Sequence, residues 1–286
     1  MPKLIAVGPL GQTVDAGAAL SVFDPMFVGI DAFGQPVYLP MMGRNILIGG
    51  EPGSGKSGLV NDLVAHASLD PKCRLVLLDG KRVELGQWKG CADVFVGPDQ
   101  LRAIATLRRL QVVIDNRSEY LEAHGRRDIV PDDAFSPILV AIDEIAYFSA
   151  TVGDKKTQEQ FSVLLRDLTA RGRFVGVMVV AATQRPSSDI ILTSLRDLFA
   201  WRFAGRCTTD VSSDIVLGHG WAKKGWSSNT ISPTNPGAGL LIGEGGIPEL
   251  VKVAYLSDQA CKAIASYAAM VRSLISAAQT TIRPAA

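Results

Sequence analysis

The sequence reads Gly50-Glu51-Pro52-Gly53-Ser54-Gly55-Lys56-Ser57 directly after a short apolar run. It matches the pattern G-x-x-x-x-G-K-[ST] at every fixed position. Its glycines let the backbone form a nest of N–H groups that faces phosphate oxygens. In such a loop Lys56 reaches the β- and γ-phosphates and the Ser57 hydroxyl ligates Mg²⁺, at a helix start that favours anions. The preceding strand and following amphipathic helix favour a nucleotide-binding loop over a glycine-rich turn that binds nothing.

A second feature is a pair of acids at the end of a buried strand. The run from Ile138 to Ile142 is continuously apolar, and Asp143 and Glu144 follow it. Asp143 is predicted to hold Mg²⁺ through its water shell. Glu144 is then placed to orient and deprotonate an attacking water, which favours an ATPase over a small-molecule kinase. Without the phosphate-binding loop, the same pair would be interpreted as a simple helix cap.

A third feature is the polar end of the next strand, Ala182-Thr183-Gln184-Arg185-Pro186. Polar side chains at the carboxyl end of a parallel strand face the ligand crevice. Gln184 or Thr183 is therefore a candidate sensor of the γ-phosphate. The alternative is an ordinary strand exit that Pro186 ends.

Apolar runs and helical periodicity alternate along the chain. Strands are predicted at Asn45 to Gly49, Arg74 to Leu78, Ile138 to Ile142 and Val175 to Ala182. Helices are predicted at Ser57 to Ser68, Gln100 to Leu121 and Thr157 to Thr169. This alternation predicts an α/β fold with a mostly parallel sheet and helices on both faces.

The ends of the chain have other patterns. The first 26 residues are small and apolar without clear periodicity. The segments Phe27 to Asp31 and Pro36 to Pro40 flank a short turn and predict a β-hairpin. Near the carboxyl terminus, two edge strands are predicted at Gly239 to Ile242 and Val251 to Tyr255, and a final helix at Asp258 to Ser276.

Composition limits the function. The 286 residues are 47% hydrophobic and carry 29 basic against 28 acidic side chains, so a nucleic-acid surface must be a local patch. The four cysteines are far apart in sequence, which excludes a zinc knuckle or a redox pair. The most apolar run, Phe174 to Ala182, is too short to span a membrane, and the amino terminus is a poor signal peptide. A cytoplasmic protein is predicted, one that could dock at a membrane through a partner.

Four motifs carry a family resemblance. They are GGEPGSGKS (49–57), LLDGKRVEL (77–85), ILVAIDEIAYF (138–148) and VVAATQRPSSDII (179–191). In their order and approximate spacing they resemble the FtsK/SpoIIIE family of DNA-translocating motor ATPases. The resemblance runs from about residue 27 to residue 258. Within the family, this short chain most resembles the transfer proteins of actinobacterial conjugative plasmids and integrative elements.

The resemblance implies a RecA-like P-loop NTPase fold, and hexameric rings that pump double-stranded DNA through a central pore. It implies that Gly50 to Ser57 bind ATP, that Asp143 and Glu144 form the Walker B motif, and that Gln184 is the sensor. The family's trans-acting arginine falls on Arg173, with Arg171 as the second candidate. The resemblance implies that the chain consists of three parts: an amino-terminal extension (1–26), a motor domain (27–258), and a carboxyl-terminal helix and tail (259–286).

Two family modules are not predicted here. Family members often have an amino-terminal membrane domain and a carboxyl-terminal winged-helix module that reads DNA sequence. Anchoring and sequence choice are therefore expected from partner proteins. The candidate DNA contacts are Arg196, Arg202, Arg206 and the segment Gly220 to Trp226, although inward packing of its two tryptophans is the favoured interpretation.

Two further functions remain open at this point. Protein-export motors of the type VII secretion kind share this fold and these motifs. They usually carry several ATPase domains and membrane helices, which this sequence does not predict. The third hypothesis is a regulatory or assembly ATPase that binds nucleotide but moves nothing. The presence of Lys56, Asp143 and Glu144 argues against an inactive enzyme.

Overall fold

A computed structural model describes residues 3–7, 13–18 and 20–281, with side chains described for residues 20–274. The strands are β1 (Lys3–Val7), β2 (Thr13–Ala18), β3 (Met26–Asp31), β4 (Pro36–Leu39), β5 (Ile46–Gly49), β6 (Arg74–Leu78), β7 (Val94–Val96), β8 (Ile138–Ile142), β9 (Val177–Thr183), β10 (Trp201–Gly205), β11 (Ala238–Ile242) and β12 (Glu249–Val253). The α-helices are α1 (Lys56–Ser68), α2 (Gln100–Ala123), α3 (Lys155–Gly172), α4 (Thr193–Arg196), α5 (Asp210–Leu217) and α6 (Asp258–Thr281).

Ten strands form a sheet in the order β4-β3-β12-β11-β10-β5-β9-β8-β6-β7. The six strands from β10 to β7 are parallel to one another. Every residue of β5, β8 and β9 is buried, because helices cover both faces, and this explains their continuous apolar sequences. The carboxyl ends of these strands meet at one edge of the sheet, with Gly49 beside Thr183. The predicted α/β fold is confirmed.

The other end of the sheet is antiparallel and corrects one prediction. Gly239 to Ile242 and Val251 to Tyr255 were expected at an edge, and this expectation is wrong. β11 lies between β10 and β12, and β12 pairs in turn with β3. The predicted hairpin, formed by β3 and β4, pairs with β12 across more than 200 residues, as in the register Val251 to Asp31. The outermost strand at this end of the sheet is therefore β4, which no local sequence pattern indicates.

Two hydrophobic clusters hold the layers together. One lies between the sheet and α2, α3 and α5. The other lies between the opposite face of the sheet and α1 and α6. Burial of apolar surface on both faces stabilises the parallel strands and fixes the positions of their carboxyl ends. The predicted helices on both faces are confirmed.

Asn45 is a buried polar residue that ties three elements together at the start of β5. Its side-chain Nδ2 donates to the carbonyl of Thr169 in α3 at 2.7 Å, and its Oδ1 accepts from the N–H of Val179 in β9 at 2.7 Å. Because both ends of the amide have partners, its burial costs little. The contact fixes β5 against β9, and so aligns the two strand ends that form the site.

The chain termini differ from the patterns seen in the sequence. β1 and β2 form a separate antiparallel pair in the region where no periodicity was visible. The final helix α6 extends to Thr281, beyond the predicted end at Ser276. The remainder of the predicted tail, residues 282–286, lies outside the described residues. Within the described ranges, no helix is both long enough and apolar enough to cross a membrane.

Candidate active site

The phosphate-binding loop connects β5 to α1, as predicted. Gly53 and Gly55 have φ values of +79° and +90°, a left-handed conformation that glycine adopts without steric cost. No side chain in the described part of the chain caps the amino terminus of α1. Its first N–H groups therefore remain available to an anion, and the helix dipole favours one at this position.

A second backbone segment packs directly on this loop. The N–H of Gly237 donates to the carbonyl of Ser54 at 3.0 Å. A Cβ atom at Gly55 would lie 2.2 Å from the Cα of Gly237, so only glycine fits there. The segment before β11 therefore supports the loop from outside, and this role of Gly237 has no signal in the loop sequence.

Glu51 holds the loop from another side. Its carboxylate accepts from the N–H of Thr208 at 2.8 Å and lies 3.2 Å from the guanidinium of Arg206. The N–H of Glu51 donates to the carbonyl of Arg206 at 3.0 Å. Glu51 and Arg206 thus fix the position of the phosphate-binding loop relative to β10, which preorganises the loop for a ligand.

Lys56 and Asp143 form a buried ion pair at the centre of the site. The Nζ atom of Lys56 donates to Oδ1 of Asp143 at 2.7 Å and to its main-chain carbonyl at 3.0 Å. The side chains are 3% and 0% exposed. The structure therefore places the acid after β8 directly against the lysine at the start of α1.

The residues at this position fit a magnesium ion. Among the described residues, Oδ2 of Asp143 is buried and has no hydrogen-bond partner. Such an oxygen is costly unless a ligand or water satisfies it. Mg²⁺ prefers carboxylate, hydroxyl and water oxygens. Asp143 and the hydroxyl of Ser57, one residue into α1, supply donors of that chemistry.

Glu144 is bound to the end of β9. Its Oε1 accepts from the hydroxyl of Thr183 at 2.6 Å, and its Oε2 accepts from the N–H of Gln184 at 2.9 Å. The residue is 6% exposed. Of the two sensor candidates, Thr183 is thus occupied by Glu144, whereas the side chain of Gln184 lines the cleft beside the loop.

The cleft has a volume of about 1580 Å³ and is lined in part by the phosphate-binding loop. Cationic side chains in its lining outnumber carboxylates by six to three, which suits a polyphosphate. Sequence reasoning assigned no role to several of these cations. They are Arg82, Lys89, Arg102, Lys252 and Lys262. Arg82 and Lys89 could have been found from their position shortly after β6, because the carboxyl end of β6 lies on the same side of the sheet as the phosphate-binding loop.

Asp62 is a buried carboxyl on α1 that lies outside this cleft. Burial raises its pKa to about 8, and among the described residues its Oδ2 has no hydrogen-bond partner. The neighbouring thiol of Cys261 on α6 also has a raised pKa, chiefly because of burial. All four cysteines are buried and free.

Arg173 and Arg171 do not join this site within one chain. Arg173 precedes β9, whereas Gln184 follows it. The seven residues of β9 place the amino and carboxyl ends of this strand roughly 20 Å apart. Arg173 lies 3.2 Å from Glu244 and over the ring of Phe174. Arg171 is held by Asp115 and Asp167, each at 2.6 Å.

The candidate DNA contacts have varied environments. Arg196 is buried and bonded to Asp197, and Arg206 is engaged by Glu51, as described above. Trp221 and Trp226 pack against the core, as the favoured interpretation predicted. Lys223 and Lys224 between them are exposed, with the ammonium of Lys224 4.6 Å from the Trp221 ring centre.

Comparison with known proteins agrees with this geometry. The FtsK/SpoIIIE family profile matches residues 25–136, which include the phosphate-binding loop. The chain contains an FtsK/SpoIIIE-family domain. It is similar to the DNA translocase FtsK of Chlorobaculum tepidum, with 30% identity over 193 residues, 60% of this chain and 23% of that protein. The chain spans between 23% and 35% of the length of such FtsK relatives.

Solved structures support the fold of the FtsK/SpoIIIE-family domain. The pCW3 conjugation coupling protein TcpA, with ATPγS, superposes with a TM-score of 0.70 at 20% identity, covering 84% of this chain and 69% of that chain. ATPases 2 and 3 of Thermomonospora curvata EccC, in complex with a signal sequence peptide, give a TM-score of 0.68 at 18% identity, covering 95% and 51%. The predicted P-loop ATPase fold is confirmed.

Proposed function

We propose that the protein is an ATPase that uses hydrolysis to translocate double-stranded DNA. The observation that carries this proposal is the convergence of four residues from three strand ends: Lys56 and Gln184 line the cleft, and the buried Asp143 and Glu144 are bonded to them. Each has a chemistry that triphosphate hydrolysis requires. The DNA translocases among its sequence relatives support the choice of substrate.

ATP binding uses the loop and the helix start. The N–H groups of Gly53 and of residues 55 to 57 and the dipole of α1 cradle the phosphates. Lys56 then moves from Asp143 to the β- and γ-phosphate oxygens, which frees Oδ1 of Asp143 in addition to the unpartnered Oδ2. Asp143 and Ser57 would hold Mg²⁺, which neutralises charge on the phosphates when bound.

The residues that follow β8 and β9 act in hydrolysis. Glu144 orients a water and takes its proton as the water oxygen bonds to the γ-phosphorus and the bond to the leaving ADP oxygen breaks. Before it can do so, its carboxylate must leave the hydroxyl of Thr183, which now occupies Oε1. Gln184 lines the cleft and reports the presence of the γ-phosphate to this base through their shared hydrogen bond.

A ring of identical subunits completes the site. Arg173 is at the opposite edge of the sheet from its own phosphate-binding loop, so it can act only on the ATP of a neighbouring copy. A hexamer that places this edge against the neighbour's cleft is the assembly we propose. A guanidinium supplied in this way stabilises charge on the transferring phosphoryl group. Arg171 is less suited, because Asp115 and Asp167 hold it.

The same ring supplies a DNA surface from a nearly neutral chain. Its net charge is +1, so one copy has no extended basic field. Several copies of an exposed pair such as Lys223 and Lys224 around one pore would contact the DNA backbone without sequence preference. We place the protein in the cytoplasm, at the membrane through an anchored partner. Conjugative transfer, supported by the likeness to TcpA, or DNA segregation is the process we propose.

Protein export is the second candidate function. The likeness to EccC, which was solved with a signal sequence peptide, favours it over a regulatory ATPase that moves nothing. Steady-state ATPase activity separates export from DNA translocation, measured with duplex DNA and, in parallel, with an extended peptide. We expect stimulation by duplex DNA that decreases as salt rises, because phosphate contacts release counterions. Stimulation by the peptide alone would contradict the proposal.

A further inference from the structure

Lys81 contacts Gln184 at the carboxyl ends of the parallel strands, although the two residues are 103 positions apart in sequence. The Nζ atom of Lys81 donates to Oε1 of Gln184 at 2.9 Å. Lys81 follows β6 and Gln184 follows β9, while β8, which carries Asp143 and Glu144, lies between those strands. The ammonium therefore reaches across the strand of the two acids to hold the carboxamide.

This contact decides which end of the carboxamide faces the cleft. A lysine ammonium has only donors, so the amide oxygen of Gln184 must face it. The NH₂ group is then left for the cleft that this side chain lines. Phosphate oxygens only accept hydrogen bonds, so NH₂ is the end that can bind a γ-phosphate. With the amide rotated by half a turn, its oxygen would face the anion and repel it.

The turn that carries Lys81 is held in place by the side chain of Asp79. Asp79 is fully buried, and its Oδ1 accepts from the N–H groups of Lys81 at 2.9 Å and Arg82 at 2.8 Å. Its Oδ2 accepts from the N–H of Leu85 at 2.9 Å. Arg82 has a φ of +62° and is the only non-glycine residue in the described ranges with a positive φ. Such strain persists where the surroundings enforce it, often at functional sites.

Gln184 is also bonded to the proposed catalytic base. Its N–H donates to Oε2 of Glu144 at 2.9 Å. One residue therefore joins the ammonium of Lys81, the cleft and the carboxylate of Glu144. A change in the orientation of its side chain changes the group that meets the γ-phosphate beside the base.

We propose that Lys81 is a positioning residue that directs the NH₂ group of Gln184 at the γ-phosphate. It acts through Gln184 and not by its own contact with ATP. This inference rests on the proposed ATPase function, which it deepens by assigning a role to the segment after β6.

The test compares Lys81→Met with Lys81→Arg in the full chain, with duplex DNA present. Methionine keeps the length of the side chain and removes the donor, whereas arginine keeps donors only. Lys81→Met should lower kcat roughly tenfold, the effect of losing one charged hydrogen bond in the transition state. The ATP dissociation constant should change less than about twofold, since the loop is intact. Lys81→Arg should restore most of the activity, and the exposed Lys72→Met, outside the cleft, should resemble the parent.

A double-mutant cycle with Gln184→Ala separates positioning from direct binding. If Lys81 acts through Gln184, Lys81→Met should have less than about a twofold effect on kcat in the Gln184→Ala background. An equal loss in both backgrounds, or parental kcat in Lys81→Met alone, would overturn the inference. A parent without any ATPase activity would instead overturn the proposed function itself, so the two failures are distinguishable.

Discussion

The ammonium of Lys56 lies 2.7 Å from Oδ1 of Asp143, and both side chains are buried. One residue begins α1 and the other follows β8, so a single ion pair joins the phosphate-binding loop to the metal-side acid. The second carboxylate oxygen, Oδ2, has no protein partner among the described residues. In the mechanism we propose, the pair supplies a cation for the phosphates of ATP and an oxygen for Mg²⁺.

Lys56→Ala should abolish tight ATP binding and hydrolysis, because the phosphates lose their charge partner in a site built around it. The substitution also leaves the carboxylate of Asp143 buried without its cation, which costs about 3–5 kcal/mol of folding free energy. Binding of a fluorescent ATP analogue and a thermal melt measure the two effects. Normal turnover in a folded Lys56→Ala protein would contradict the assignment of the loop.

Glu144→Gln should bind ATP and hydrolyse it at least roughly a hundredfold more slowly, because the water loses its base. The glutamine oxygen can still accept from Thr183 or Gln184, so we expect the fold to be retained. Single-turnover hydrolysis is the measurement, with the exposed Glu249→Gln as the matched control. Hydrolysis at the parental rate would place the catalytic base elsewhere.

Arg173→Ala should keep nucleotide affinity and lose turnover, because in the ring we propose its guanidinium acts on the ATP of a neighbouring subunit. Arg171→Ala should have much less effect on turnover, since its three side-chain contacts are with Asp115 and Asp167. ATPase rates of the two variants make the comparison. Larger losses in Arg171→Ala than in Arg173→Ala would reverse the assignment.

Mixing subunits tests the trans geometry of Arg173. Arg173→Ala subunits have an intact loop and base, whereas Glu144→Gln subunits have an intact arginine. Each should be nearly inactive alone, and mixed rings should regain activity at interfaces that pair an intact site with an intact arginine. Absence of rescue at every ratio, in rings shown to be mixed, would count against a trans-acting Arg173.

Asp62 gives the fold a predictable pH dependence. Its pKa is about 8 in the folded protein against an ordinary 3.8, so between these values the folded state binds more protons than the unfolded state. The free energy of unfolding therefore falls as pH rises from about 4 to 8. Asp62→Asn should remove this loss and be more stable than the parent by about 1–3 kcal/mol at pH 7.5. The difference should vanish near pH 4, where both side chains are neutral.

Urea unfolding at several pH values measures this difference. The exposed Asp132→Asn is a matched control that removes a carboxylate without changing a buried group, and it should follow the parent. A constant stability difference between Asp62→Asn and the parent across the whole pH range would show that Asp62 does not titrate in the folded protein as described.

The sequence could predict the centre of the site because its motifs are local. A glycine-rich loop before a helix, and acids directly after an apolar strand, specify their own geometry. The parallel strands then bring their ends together at one edge. The bounds of α1, α2 and α3 likewise agree with their hydrophobic periodicity to within three residues.

Other features depend on contacts between distant segments and have no local pattern. The support of Gly55 by Gly237, the pairing of β3 with β12, and the contact of Lys81 with Gln184 are all of this kind. Thr183 illustrates the same limit. The sequence made its hydroxyl a candidate sensor, and its bond to Glu144 is seen only when the two strand ends are placed together. β7, only three residues long, is too short to give a periodic signal.

If ATP hydrolysis moves this protein along double-stranded DNA, as we propose, the moving protein should displace a third strand from the duplex. A labelled oligonucleotide annealed to a duplex as a triplex is released only when a motor travels through it. We expect release that requires ATP and the length of duplex beside the triplex, and that is absent in Glu144→Gln. Strong duplex-stimulated ATPase activity without any triplex displacement would show that hydrolysis is not coupled to movement along DNA.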